Sequence, residues 1–148
     1  MTAYFVDSSA LVKRYRVEPG SPWLSTVLKS ADQIIISRLT LIEVSAALVR
    51  RSRQSKAPAE DLKIALDLLD FETRNSFDVL ELDEPVPTHA LAATRQYGLR
   101  GADAIQFAAA MIAQRQVSEK LMFMSCDDEL NAAVAAERWQ VENPNMHP

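Results

Sequence analysis

Ala3-Tyr4-Phe5-Val6-Asp7-Ser8-Ser9-Ala10-Leu11 is the stretch on which the reading of this chain turns. Tyr4, Phe5 and Val6 form a short β-type apolar run. An aspartate follows at once, then two hydroxyl residues, and Leu11 and Val12 resume at helical spacing. The pattern predicts a buried strand ending at Asp7 and a helix opening at Ser8 or Ser9. Open α/β sheets place their ligands at the carboxyl ends of parallel strands, so a carboxylate there is a candidate functional group. Aspartate is also a good helix N-cap, and on this stretch alone the capping role comes first.

Outward from this start, strands and helices alternate. Ser21 can cap a helix with Pro22 in its first position, where proline is tolerated; it carries Trp23, Leu24, Val27 and Leu28. Gln33 to Ser37 is a second strand, apolar enough to be buried on both faces. A long helix then starts at Ser37 or Thr40, with Leu39, Ile42, Ala46 and Val49 on one face. Ala59 to Asn75 is strongly amphipathic, and its apolar side suits either the core or a partner. Phe77 to Leu82 reads as a third strand and Thr88 to Tyr97 as a helix that Gly98 ends. Arg100-Gly101-Ala102-Asp103 opens an alanine-rich helix, and Leu121 to Ser125 is a fourth strand. A helix follows from Cys126 to about Glu137, and Trp139-Gln140-Val141 reads as a short last strand. The alternation predicts an α/β sandwich with a mainly parallel sheet, in one domain over 1–148 with 143–148 as a tail.

Composition narrows the function. The chain has 148 residues, 48% hydrophobic and 24% charged, ordinary globular values. Its single cysteine, Cys126, excludes an internal disulfide and points to a reducing compartment. There is no signal-peptide pattern and no apolar run long enough to span a bilayer, so a cytoplasmic, non-membrane protein is expected. A net charge of −4 argues against a broadly basic nucleic-acid-binding face and leaves that role to local clusters. Lys13, Arg14, Arg50, Arg51 and Arg53 are the candidates for contacting nucleic-acid phosphates. Three glycines in all make a glycine-rich phosphate loop untenable. Ser8 and Ser9 lack a nucleophile elbow, and Cys126 has no histidine nearby in sequence to activate it.

Four acids stand where a purely structural account would not put them. Asp7 ends the first strand and Asp127 follows the fourth in the equivalent place. Glu43 lies at the edge of an apolar helix face, and Asp103 opens the alanine-rich helix. Singly, each can be a cap or a solvated acid. Jointly, two of them end strands of a parallel sheet, where a shared crevice is expected. Carboxylates that converge repel one another, and a divalent cation relieves this. Oxygen ligands without histidine or cysteine suit Mg2+ or Mn2+ rather than zinc. The implied chemistry is metal-assisted phosphodiester hydrolysis.

Phe5-Val6-Asp7-Ser8-Ser9, Glu43 within Thr40-Leu41-Ile42-Glu43-Val44, Leu99 to Gln106 around Asp103, and Ser125-Cys126-Asp127-Asp128-Glu129-Leu130 resemble, in order, the four motifs of PIN-domain nucleases. The subgroup they resemble is the VapC-type toxins of type II toxin–antitoxin systems. The resemblance implies a three-layer α/β/α fold and an Mg2+- or Mn2+-dependent endoribonuclease. Asp7, Glu43, Asp103 and Asp127 take the places of the family's catalytic and metal-binding acids. Asp7 and Asp103 would be the main metal ligands, with Ser8 and Ser125 in supporting positions and Asp128 a less certain neighbour of the site. It further implies a homodimer and neutralisation by a cognate VapB-like antitoxin. The competing reading is a PIN-like module that binds metal or a partner but no longer cuts.

Overall fold

The computed structural model describes residues 1–148. Five parallel strands form one sheet in the order β3-β2-β1-β4-β5. They are β1 (Ala3–Val6), β2 (Gln33–Ser37), β3 (Asp78–Leu80), β4 (Met122–Met124) and β5 (Val141–Glu142). The helices between them are α1 (Ser8–Leu11), α2 (Ser21–Ser30), α3 (Arg38–Gln54), α4 (Ala59–Asn75), α5 (Val86–Tyr97), α6 (Gly101–Gln116) and α7 (Asp128–Ala136). The α/β sandwich with a parallel sheet expected from the alternation is observed, in the three layers that the resemblance implies.

Successive side chains along a strand point to opposite faces of the sheet, and the two cores divide accordingly. Tyr4, Val6, Ile34, Ile36 and Met124 pack with Leu24, Leu28, Val44, Leu48 and Leu69 on the side of α1 to α4. Ala3, Phe5, Ile35 and Phe123 pack on the other side with α5, α6 and α7. There Phe5 and Phe123 stack with ring centroids 5.9 Å apart. Ala104, Ala108, Ala109, Ala110 and Ala113 are buried along α6, and their small side chains let that helix lie close to its neighbours.

The strand order creates the functional geometry. From β1 the chain moves outward through β2 to β3, then returns to the opposite side of β1 as β4. β1 and β4 are therefore the neighbours at which the winding direction reverses, the usual location of a ligand crevice in an open parallel sheet.

Three local expectations are corrected. Helix α3 buries Thr40, Val44 and Leu48, not Leu39, Ile42, Ala46 and Val49. Leu39, Leu41, Ile42, Val44, Ala46, Ala47, Leu48 and Val49 wrap most of the helix with apolar groups, so periodicity does not choose the face. The junction with β2 chooses it. Ile42 is left 57% exposed, and with Leu41, Ala46, Val49, Leu66 and Leu69 it lines an open apolar groove of about 740 Å³.

Helix α2 is capped by Gly20, with Ser21 and Pro22 inside its first turn. The Ser21 hydroxyl instead accepts from Glu18 N at 2.9 Å, steadying the preceding turn. Residues 143–148 are docked rather than free. Pro144 is buried in a short helical turn, and His147 stacks on Trp23 with centroids 3.9 Å apart.

Gly20 makes that docking possible. Its φ is +89°, and a Cβ there would stand 2.3 Å from the Pro144 carbonyl oxygen. Gly20→Ala should lower stability by about 2 kcal/mol, through backbone strain and loss of the C-terminal contact. Chemical denaturation of the two proteins measures this directly.

Candidate active site

The first wall of the site is built where β1 and β4 end. Asp7 caps α1, with extended backbone and its side chain accepting from Ser9 N. Asp127 caps α7, its Oδ1 accepting from Leu130 N at 2.8 Å. The capping reading and the site reading therefore coexist, because each carboxylate spends one oxygen on its helix. Asp7 Oδ2 accepts from Ser9 Oγ at 2.6 Å, Ser125 Oγ at 3.0 Å and Ser9 N at 3.3 Å. No hydrogen bond engages its Oδ1. Asp7 N donates to Met124 O at 2.9 Å, joining the two strand ends directly.

Two hydroxyls fasten this wall. Ser125 Oγ donates to Asp7 and accepts from Asp127 N at 3.1 Å. Ser9 Oγ donates to Asp7 and accepts from Cys126 N at 2.9 Å. The sequence alone does not single out Ser9 as a supporting residue. The bond it makes joins residues 117 apart in the chain, and no local pattern announces such a contact.

The second wall comes from helices. Glu43 stands on α3, and its Oε1 accepts from Ser8 Oγ at 2.8 Å. Ser8 thus orients Glu43 rather than Asp7. Asp103 lies in the first turn of α6, half-buried and without a hydrogen bond of its own. Asp7, Glu43, Asp103 and Asp127 all line one open cleft of about 400 Å³. Asp128, one residue on, is exposed and does not line it.

The acids feel one another. Burial raises the Asp103 carboxyl to about 6, with the charges of Asp127, Asp7 and Glu43 adding to it and Arg100 opposing. Burial also raises Glu43; the Ser8 hydrogen bond opposes this and the Asp7 charge adds to it. No three acidic, histidine or cysteine groups close into a ready-made metal cluster. The four carboxylates ring the cleft with unused oxygens instead. That donor set fits Mg2+ or Mn2+, hard ions that take oxygen ligands and, for Mg2+, retain several waters. It does not fit a closed structural zinc site.

The basic candidates separate. Lys13 is only 6% exposed, with its Nζ 3.8 Å from Glu18. Arg14 forms a forked pair with Glu72 of α4 at 3.1 to 3.3 Å. Both are engaged within the fold, because the short α1 and the turn after it are packed against their neighbours. Arg50 is exposed on the cleft wall, and Arg51 and Arg53 are exposed further along α3. Arg16, outside the sequence-derived candidates, also lines the cleft and pairs with Glu18 at 2.5 Å. Burial alone would raise the Glu18 carboxyl, but Arg16, with Lys13 and Arg51, holds it below its ordinary value.

An open parallel sheet with four acids gathered beyond its switch-point strands defines an α/β protein of the carboxylate-cleft class. Residues 4–136 match the PIN domain family. Ribonuclease VapC45 of Mycobacterium tuberculosis is 35% identical over 112 residues, covering 75% of this chain and 76% of that protein. The chain belongs to the PIN-domain family, as its motifs imply. Solved structures share the fold. A crystal structure of PAE2754 from Pyrobaculum aerophilum superposes with TM-score 0.69 at 24% identity, covering 98% of this chain and 92% of that one. A toxin–antitoxin complex from Klebsiella pneumoniae gives TM-score 0.66 at 16% identity, covering 95% and 97%. No helix is long and apolar enough to cross a membrane.

Proposed function

We propose that this protein is a divalent-metal-dependent endoribonuclease, acting as the toxin of a toxin–antitoxin pair. The observation that carries this reading is the ring of Asp7, Glu43, Asp103 and Asp127 around one cleft, with the Asp103 carboxyl raised by its surroundings. The relationship to a named VapC ribonuclease supports RNA as the substrate.

Asp7 and Asp103 would hold Mg2+ or Mn2+, with Glu43 and Asp127 completing the site directly or through water. When bound, such an ion offsets phosphodiester charge and makes a water nucleophilic near neutral pH. The chain's own groups prepare for this. Ser9 and Ser125 hold Asp7 by one oxygen and leave the other available. Ser8 fixes Glu43, which can accept a proton from the attacking water. Arg50, exposed on the cleft and outside any ion pair, offers a cation to the phosphates of a bound strand, whereas Arg16 is held by Glu18.

The partners follow from the same reading. The apolar groove between α3 and α4 suits the apolar face of a partner helix, from an antitoxin or a second copy. Likeness to the Klebsiella complex supports an antitoxin as partner, and a homodimer is the solution state that membership of the family implies.

The test is incubation of purified, partner-free protein with total cellular RNA in Mg2+, in Mn2+ and in EDTA. Discrete fragments in either metal and none in EDTA are expected, and end mapping of the fragments then identifies the target. Intact RNA in both metals, with protein shown to be folded, would favour a PIN-like module that binds without cutting.

A further inference from the structure

Beneath the cleft lies a polar group that the proposed chemistry does not use. Ser37, Thr40 and Gln106 are 0%, 0% and 1% exposed in an otherwise apolar interior. Ser37 Oγ donates to Gln106 Oε1 at 2.6 Å, and Gln106 Nε2 donates to Thr40 Oγ1 at 2.8 Å. Thr40 N donates to Ser37 Oγ at 3.2 Å, closing the loop at the start of α3. Buried polar groups are costly unless bonded, and when fully bonded they fix one arrangement where apolar contacts would tolerate sliding.

Their place in the two helices matters. Thr40 precedes Glu43 by three residues on α3, and Gln106 follows Asp103 by three on α6. Residues three apart share a helix face. The hydrogen-bonded pair Thr40–Gln106 therefore stands one turn from Glu43 on one helix and from Asp103 on the other. Glu43 and Asp103 line one cleft, the charge of the first acting on the second, and a specific bond between their helices lies one turn away.

We propose that Gln106 is a positioning residue. With Ser37 and Thr40 it clamps the first turn of α3 to the second turn of α6 and sets the spacing of Glu43 and Asp103 for a divalent cation. This rests on the metal-dependent reading above and adds the element that holds two of its ligands in register. Gln106 touches neither substrate nor ion; it acts through the two helices.

The experiment measures Mn2+ affinity by calorimetry and by the paramagnetic resonance of the free ion, with kcat and KM on a mapped RNA alongside. Thr40→Val removes the acceptor of Gln106 and keeps both the shape and the Ser37 cap. Thr40→Val/Gln106→Leu replaces both facing groups by apolar ones of similar size; the buried Ser37 hydroxyl loses its acceptor, so a thermal melt of the metal-free double variant accompanies the binding measurement. Both variants are expected to bind Mn2+ at least about tenfold more weakly, the usual scale for losing an outer-shell support. The fall should appear in kcat with little change in KM, and Thr40→Ser should restore wild-type affinity. A folded double variant that binds Mn2+ as wild type does, with kcat unchanged, would overturn the clamp and leave the nuclease reading standing. Wild-type protein that binds no Mn2+ would overturn both. Wild type that binds Mn2+ and cuts no RNA, with the variants still weakened, would keep the clamp and overturn the nuclease.

Discussion

Asp7→Asn is expected to remove metal-dependent RNA cleavage, by at least about a hundredfold, while the metal-free protein keeps or gains thermal stability. Loss of an outer-shell support already costs about 10- to 100-fold in metal sites, and Asp7 is proposed as a direct ligand. The stability half of the prediction comes from the geometry. Asp7 is buried, and its Oδ2 takes three donors from Ser9 and Ser125. An asparagine carbonyl oxygen accepts the same three bonds and still caps α1. The amide then replaces the oxygen left without a partner, and the negative charge that raises both Glu43 and Asp103 disappears. Thermal melts in EDTA and cleavage assays in Mn2+ on the same preparation check both halves. A large drop in melting temperature without metal would mean that Asp7 serves mainly as a cap. Retained cleavage would remove it from the catalytic set.

Much of this architecture is legible in the sequence because local rules and global fold agree there. The bounds of β2 and α4 are read correctly from an uninterrupted apolar run before a serine cap and from a proline-started amphipathic segment. The four acids can be singled out because each follows a strand or opens or edges a helix, where charge is unexpected. The strand order is not legible. β1 and β4 adopt neighbouring positions through contacts more than a hundred residues apart, and that adjacency is what turns Asp7 and Asp127 into one wall. The same limit hides Ser9 and Gln106, whose bonding partners are distant in the chain. The phase of α3 is obscured for a different reason, since apolar residues surround it. Charge counting errs for Arg14 because Glu72, which binds it, becomes a neighbour only on folding, and for Lys13 because the fold buries its side chain beside Glu18.

Asp103→Asn is expected to abolish cleavage to a similar degree and to change how stability depends on pH. In the metal-free wild type the Asp103 carboxyl lies at about 6, raised from its ordinary 3.8. Between these values the folded state holds a proton that the unfolded chain has released. The group's stabilising contribution is therefore fully present below its ordinary value and is lost as pH rises through 6. Glu43 is raised too and acts with the same sign. Asparagine at 103 has no proton to lose. In EDTA near neutral pH the variant should exceed wild type by about 1 kcal/mol, allowing for solvent screening of a half-buried group. That corresponds to about 3 °C in melting temperature for a domain of this size. Below about pH 4, where the wild-type carboxyl is protonated in both states, the difference should vanish. Adding Mn2+ should reverse the ranking at neutral pH, since binding to the folded state raises its stability by mass action and the variant binds poorly. Paired melts from pH 3 to 8, with and without Mn2+, read all of this. A metal-free wild type that gains stability over the variant as pH rises through 6 would show that Asp103 is not crowded by its neighbours. The cleft would then lack the charge strain that makes a divalent cation its natural occupant.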